Sequence, residues 1–339
     1  MNFDNMPIAA TAISIVICWG LFAVFCGLVQ ECIAQLKAER GRFMKNYLLL
    51  QLQDAPNGIN WATLIYNHGS VDILSRAPEK PTNDIPPHLF AETLVDVVGQ
   101  SHIVQMHSKE VAATVTYQHA TLRNFKIATL VLKPSDVMTF LGQALKSAEL
   151  AASTANGITD ESLLYKTLIE NIEKWHSTFS DRLSLWYKKQ VRQRLFLLGM
   201  VLALVLNIDS IQLFQVFNAS PDSRKTIIEN YKQNSSKYEL LAAHVDSLGK
   251  NRAANDTSIK NVAQSIDSVK AMLVSMNAVG QSADLPIGTQ YNIFSNWKKE
   301  NTIGFIVLKM LGILISGFAA SFGAPFWFDL LKKVYSSKV

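Results

Sequence analysis

Few residues in this chain are of types that do chemistry in unusual surroundings, and those that do interrupt apolar runs. Asn207, Asp209, Ser210 and Gln212 fall inside one such run, and Lys309 falls inside another. An ionisable side chain at membrane depth is costly, so each marks a functional or structural site by default. Counted inward from Phe217 and from Ile303 at the helical rise, Asp209 and Lys309 both lie roughly 9 to 12 Å below the same surface. They are therefore placed to meet as an ion pair, with Asn207 and Ser210 completing hydrogen bonds that a charged pair in lipid otherwise lacks. Three roles fit this cluster: a clamp between two helices, a lysine snorkelling to the outer interface, or an ion or proton path.

Other chemistry is not encoded by spacing. His68, His88, His102, His107, His119, His176 and His244 are scattered, with no carboxylate or thiol at metal-ligand spacing, and His102 and His107 miss the i, i+4 relation. The chain has no Walker phosphate loop, no G-x-G-x-x-G and no G-x-S-x-G elbow. Glu170 and Glu173 with Lys166 and Lys174 read as the solvated face of a helix. No catalytic residue, cofactor or metal site is expected.

The elements that must position the cluster are three apolar segments, residues 7–30, 195–217 and 303–324, each near the ~20 residues of a spanning helix. Lys37, Arg40, Arg42 and Lys45 follow the first, Lys188, Lys189, Arg192 and Arg194 precede the second, and Lys332, Lys333 and Lys338 follow the third. By the positive-inside rule all three clusters are cytoplasmic, so the N-terminus is expected outside and the C-terminus inside. Residues 31–194 then form a cytoplasmic domain, 218–301 an exterior one, and 325–339 a cytoplasmic tail. The first segment lacks a basic start and carries its positive charge downstream, as an uncleaved anchor does. Cys18, Cys26 and Cys32 all lie in or just after it, which leaves the exterior domain without a disulfide framework. The net charge of +5 comes largely from the membrane-flanking clusters, which favours anionic lipid as a partner and not nucleic acid.

Between the segments the periodicity is helical. Glu31 to Asp54 predicts a helix continuing from the first span and broken at Asp54-Ala-Pro-Asn-Gly. Leu89 to Val98 predicts a short helix after the paired prolines Pro86 and Pro87, and Val111 to Leu132 reads as helix in preference to strand. Leu164, Leu168, Ile172, Trp175, Phe179, Leu183 and Trp186 follow the 11-residue repeat of a nearly straight helix. This stalk, 160–194, is expected to enter the second span without a break, as a rod of roughly 85 Å. Its seam would pack on helices at Asp136 to Ala152 and Glu31 to Leu52, or on a second copy. Outside, Ile227, Tyr231, Asn234, Tyr238, Leu241, Val245 and Leu248, then Ile259, Val262, Ile266, Val269, Leu273 and Met276, give two heptad helices joined by a polar turn at Gly249 to Asp256. Such a hairpin is too thin to bury both seams on itself. Its Asn218, Asn234 and Asn255 begin glycosylation-type triplets. In the third span Gly312, Ser316, Ala320 and Ala324 form a small-residue packing stripe, and Phe326, Trp327 and Phe328 form an aromatic foot at the inner interface.

Several strings carry a resemblance: Tyr66-Asn67-His68 with Val71-Asp72-Ile73-Leu74, Ile85-Pro86-Pro87 with Phe90-Ala91, Trp186-Tyr187-Lys188-Lys189, Asn207-Ile208-Asp209-Ser210-Ile211, and Gly323-Ala324-Pro325-Phe326-Trp327-Phe328-Asp329-Leu330-Leu331. Together they resemble a broad group of uncharacterised bacterial inner-membrane proteins with three spans, and the closing string is the most specific. The resemblance implies the topology and a bacterial inner membrane, and no activity. The expected fold is mainly α. The expected function is a non-enzymatic membrane anchor or scaffold that assembles with copies of itself or with a larger machine. An oligomeric ion channel using the polar residues of the second span is the first alternative, and a transmembrane signal transducer the second. A lone Asp209 to Lys309 contact inside each copy favours the scaffold, whereas polar residues lining one shared face favour the channel.

Overall fold

The structure, a computed structural model, describes residues 7–75, 77, 79–111, 114–153, 160–250, 259–287 and 302–336. It is mainly helical. In chain order come α1 (Pro7–Leu36), α2 (Glu39–Gln51), a hairpin of β1 (Gln53–Asp54) and β2 (Ile59–Asn60), then α3 (Trp61–Asn67), α4 (Gly69–Asp72), α5 (Pro87–Gly99), α6 (His102–Val111), α7 (Ala120–Val131) and α8 (Asp136–Ala152). There follow α9 (Glu161–Val205), α10 (Ser210–Ala219), α11 (Pro221–Lys250), α12 (Ile259–Ser282), α13 (Thr302–Ser321) and α14 (Ala324–Ser336). The chain divides into two compact units, Met1–Leu36 with Lys188–Val339, and Lys37–Tyr187. Among the described residues α1 and α13 are long and apolar enough to cross a membrane, and α9 with α10 makes a third candidate if the bent pair counts as one span. These apolar helices are those of a membrane protein.

In the first unit α1 is the central helix. It is apolar on every side, and 72% of its most apolar window is buried, against 33% for Gly304–Ser321 of α13. A helix without a polar face has to be covered all round. Here α10, α11, α12, α13 and α14 all pack on it. Contacts along α1 fix the directions. Thr11 Oγ1 donates to the Phe217 carbonyl at 3.3 Å, and Trp19 Nε1 donates to Ser210 Oγ at 2.9 Å, so α10 runs antiparallel to α1. Lys309 reaches Gln212 while Ser316 meets Ser210, so α13 is antiparallel to α10 and parallel to α1.

Four expectations are corrected here. The helix that starts at Pro7 ends at Leu36 and does not run on to Asp54, because Ala38 takes a left-handed conformation with φ 47 before α2 begins. The second span is not continuous to Phe217: α9 stops at Val205 and α10 leaves at a bend of 58°. The described part of residues 218–301, α11 and α12, does not form a hairpin standing clear of the rest, because both helices pack on α1. Tyr231 stacks on Phe328 at 6.0 Å, Glu239 pairs with Lys332 at 2.9 Å and Ser265 Oγ donates to Gln35 at 3.1 Å. Thus α11 follows α1 towards its C-terminal end and α12 returns along it. Facing α1 also turns α12 about its axis, so that Ser265, Met272, Met276 and Val279 are buried and Ile266 is exposed. Gly249 still lies in α11, and residues 251–256 of the expected turn, with Asn255, lie outside the described residues. Finally, the aromatic foot is mostly core. Trp327 donates to the Ala319 carbonyl at 2.8 Å and packs on Trp19, Phe328 lies over Gly20, and only Phe326 of the three is exposed.

In the second unit the expected breaks and starts recur with their local causes. Gly58 at φ 67 turns the chain between β1 and β2, which pair Gln53 with Asn60 and Asp54 with Ile59. Pro87 opens α5, and the Ser135 hydroxyl caps α8 by accepting from the Met138 amide at 3.1 Å. Of the Val111 to Leu132 stretch, expected as one helix, only Ala120–Val131 is α-helical beyond Val111, as α7; residues 115–119 are irregular, and 112 and 113 lie outside the described residues. The stalk seam is filled within the chain. Leu164, Leu168, Ile172 and Leu183 are buried, Trp175 packs on Phe90 and Phe140, and Asn171 Nδ2 donates to the Ala144 carbonyl at 3.2 Å. Trp186, expected in that seam, is exposed, and Tyr187 is buried against Phe43 in its place. At Gly41 the loop at Pro81 comes so close that an added Cβ would overlap its carbonyl.

Candidate functional site

The polar cluster of Asn207, Asp209, Ser210, Gln212 and Lys309 is built around the break between α9 and α10. The Ile208 amide bonds to the Ala203 carbonyl at 2.8 Å and the Asn207 amide to the Leu204 carbonyl at 3.4 Å, with Asn207 at φ 54. This is the Schellman stop, with asparagine in the left-handed position that glycine usually takes. Asp209 then restarts the helix as an N-cap, its Oδ1 accepting from the amides of Ile211 at 2.9 Å and Gln212 at 3.2 Å. Stop and restart within so few residues leave two side-chain oxygens, those of Asn207 and Gln212, and the second Asp209 oxygen facing α13.

Lys309 fills that space. Its Nζ donates to Asn207 Oδ1 at 2.6 Å and to Gln212 Oε1 at 3.4 Å, and lies 3.6 Å from Asp209 Oδ2. The ion pair is buried, with side chains 12% and 7% exposed for Lys309 and Asp209. An ammonium has three N–H donors, and three acceptors surround this one. The Asn207 amide nitrogen in turn donates to the Pro286 carbonyl at 2.9 Å, which ties the end of α12 to the same point. Ser210, the first residue of α10, meets Ser316 Oγ at 2.7 Å and the Trp19 indole, so α1, α10 and α13 share one polar knot.

The small-residue stripe lies against this knot. A Cβ on Gly312 would overlap the Asp209 carboxylate, Ser316 Oγ also donates to the Gly312 carbonyl at 3.0 Å, and Ala320 faces Gly199 of α9. Ala324 is buried where α14 begins. Sequence reasoning missed Gly317, which closes on Met200 and the Phe196 carbonyl, and it missed Trp19 and Pro286 as partners. The signal for Trp19 was available, because an indole N–H within an apolar span needs an acceptor.

What this arrangement can do chemically is hold charge without water. Elsewhere, His68 Nδ1 lies 2.7 Å from Ser70 Oγ and its Nε2 3.4 Å from Asp96, a set of types familiar from nucleophilic catalysis. The amides of Val71 and Asp72, which follow Ser70, both donate to the His68 carbonyl, and the Ser70 hydroxyl also meets Thr93. These contacts tie α4 to α5. Among the described residues no group of three or more His, Cys, Asp or Glu side chains is placed to hold a metal ion. A comparison of the chain with protein-family models, with curated proteins and with solved structures finds no match.

Proposed function

We propose that this chain is a non-enzymatic integral membrane anchor or scaffold that assembles with copies of itself or with a larger membrane-associated machine. The observation that carries the reading is the closure of the Asp209–Lys309 cluster: all three acceptors of the lysine belong to its own chain, as a clamp between spans requires and a conducting path does not. The orientation we propose has the N-terminus outside and the C-terminus cytoplasmic. Supporting it, α1 and α13 run parallel and α10 opposite, the alternation that the flanking Lys and Arg clusters call for. The bacterial inner membrane as location rests on the resemblance of the closing Gly-Ala-Pro-Phe-Trp-Phe-Asp string.

The native mass of protein extracted gently from its own membranes, with every co-purifying chain identified, tests this. A whole-number multiple of one chain means self-assembly, and a mass that only foreign subunits explain means an accessory of a larger machine. A conductance in bilayers that Asp209→Asn abolishes overturns the scaffold in favour of a channel.

A further inference from the structure

The corner where α13 gives way to α14 is closed by its own donors. The last carbonyls of a helix have no partner in a following turn, and at a solvated end water takes them. Here the chain supplies the donors: Ser321 Oγ donates to the Phe318 carbonyl at 2.7 Å, Trp327 Nε1 to the Ala319 carbonyl at 2.8 Å, and the Gly323 amide to the Ala320 carbonyl at 3.0 Å. Gly323, at φ 79, makes the turn, and Pro325 in the first turn of α14 removes an N–H that would otherwise need an acceptor. In water such closure is unnecessary, whereas in hydrocarbon each open backbone group is costly.

The outer side of the corner is apolar on both helices. Met310, Leu314, Phe318, Phe322, Phe326 and Leu330, each four residues after the last, are all exposed. The stripe is unbroken at the turn, where the Phe322 ring lies 5.0 Å from Phe318 and 4.8 Å from Phe326. The opposite side of α14, with Ala324, Trp327, Phe328 and Leu331, is buried. A helix packed on a core at a water surface turns polar residues outward. In α14 these begin at Asp329, with Lys332 and Lys333 following.

We propose that this corner lies within the hydrocarbon of the bilayer, and that its ladder of Phe318, Phe322 and Phe326 is a contact surface for lipid acyl chains, with the headgroup level at Asp329, Lys332 and Lys333. The inference rests on the reading of the first unit as membrane-embedded. Continuity selects the occupant. The ladder prolongs the exposed apolar side of α13, a candidate span, and carries no charge until Asp329. The polar boundary of the membrane then falls inside α14 and not at the end of α13, and the turn between them is made where no water reaches it.

Nitroxide accessibility tests this on the full chain, in a background carrying Cys18→Ala, Cys26→Ala and Cys32→Ser, reconstituted in vesicles of phosphatidylcholine and phosphatidylglycerol. Labels at Phe322→Cys and Phe326→Cys are expected to collide often with molecular oxygen, which concentrates in hydrocarbon, and rarely with a water-soluble nickel chelate, as at Met310→Cys. At Lys333→Cys the order should reverse. Both phenylalanines are exposed, so neither replacement opens the core. Nickel collisions at Phe322→Cys and Phe326→Cys as frequent as at Lys333→Cys, with Met310→Cys protected, put the corner in water and overturn the proposal while the embedded reading stands. Shielding of both positions from oxygen and nickel alike means that protein, such as a second copy, covers the ladder, and the proposal is again overturned. Free access of nickel to Met310→Cys sinks the embedded reading itself.

Discussion

Two aspartates among the described residues are buried, one in each unit, and they are held differently. Asp54 is fully buried and neutral donors surround it: Asn57 Nδ2 lies at 3.0 and 2.9 Å from its two oxygens, and Trp61 Nε1 at 3.0 Å. Asp209 is capped by backbone amides and faces a lysine. The difference follows from what lies beyond each site. Asp54 sits one layer beneath the exposed turn Ala55–Asn57, where water screens whatever charge the N–H donors leave. Beside Asp209 and Lys309 on their own helices, Leu204, Val205, Phe214 and Met310 are exposed apolar side chains, and there the carboxylate is held by a counter-charge. The pairing of a buried carboxylate thus reports the medium outside it.

The sharpest way to break this comparison is Lys309→Met. It leaves Asp209 without its counter-ion and Asn207 without its donor, and should cost about 3–5 kcal/mol of stability in detergent. Adding Asp209→Asn should recover part of that loss, and a double variant less stable than both singles would mean the two groups are not coupled. Asp54→Ala should cost less, about 1–3 kcal/mol, because it orphans the Trp61 indole but no ion. Trp61 emission during unfolding follows it, and a loss as large as that of Lys309→Met would erase the distinction between the two sites. Glycines at close approaches come next. Gly312→Ala presses on the Asp209 carboxylate and Gly41→Ala on the Pro81 carbonyl, each worth about 1–3 kcal/mol by thermal shift.

The smallest effect concerns a carboxylate pairing in full solvent. His88, on the surface of the second unit, has its pKa raised above the ordinary 6.5, first by its hydrogen bond to Glu173 and further by Glu92. A raised folded-state value stabilises fully below the unfolded pKa, and the contribution is lost as pH rises through the folded one. An NMR titration of His88 should therefore show a midpoint above 6.5. His88→Gln should flatten the fall in stability over that window by well under about 1 kcal/mol, since the pair is exposed and screened.

Much of the site was legible because depth is countable. Asp209 and Lys309 fall at one level by helical rise alone, and α13 is close to its predicted bounds because apolar length is a direct signal. The break beside Asp209 was harder to see because it contains neither Pro nor Gly. Its marks were Asn207, suited to the left-handed stop, and Asp209 with Ser210, suited to a cap. The turn at Ala38 left no mark, since alanine has no preference for φ 47. The seams of α11 and α12 were visible, but a stripe states only that something covers it. That the cover is α1 is information held in tertiary packing, and the sequence of either partner alone does not contain it.

The bend between α9 and α10 also bears on how motion can pass from one helix to the other. An unbroken helix carries torsion because each turn is bonded to the next, so twisting one end turns the other. At Leu206–Asp209 that ladder is interrupted: the link is tied back to α9 by the Ile208 and Asn207 amides, whereas Asn207, Asp209 and Gln212 are held by Lys309 of α13. Rotation of α10 is accordingly delivered sideways, to a third helix, before it reaches α9. The α10 side of the joint therefore leans on a neighbouring helix through one ammonium group, while the α9 side is closed by its own backbone.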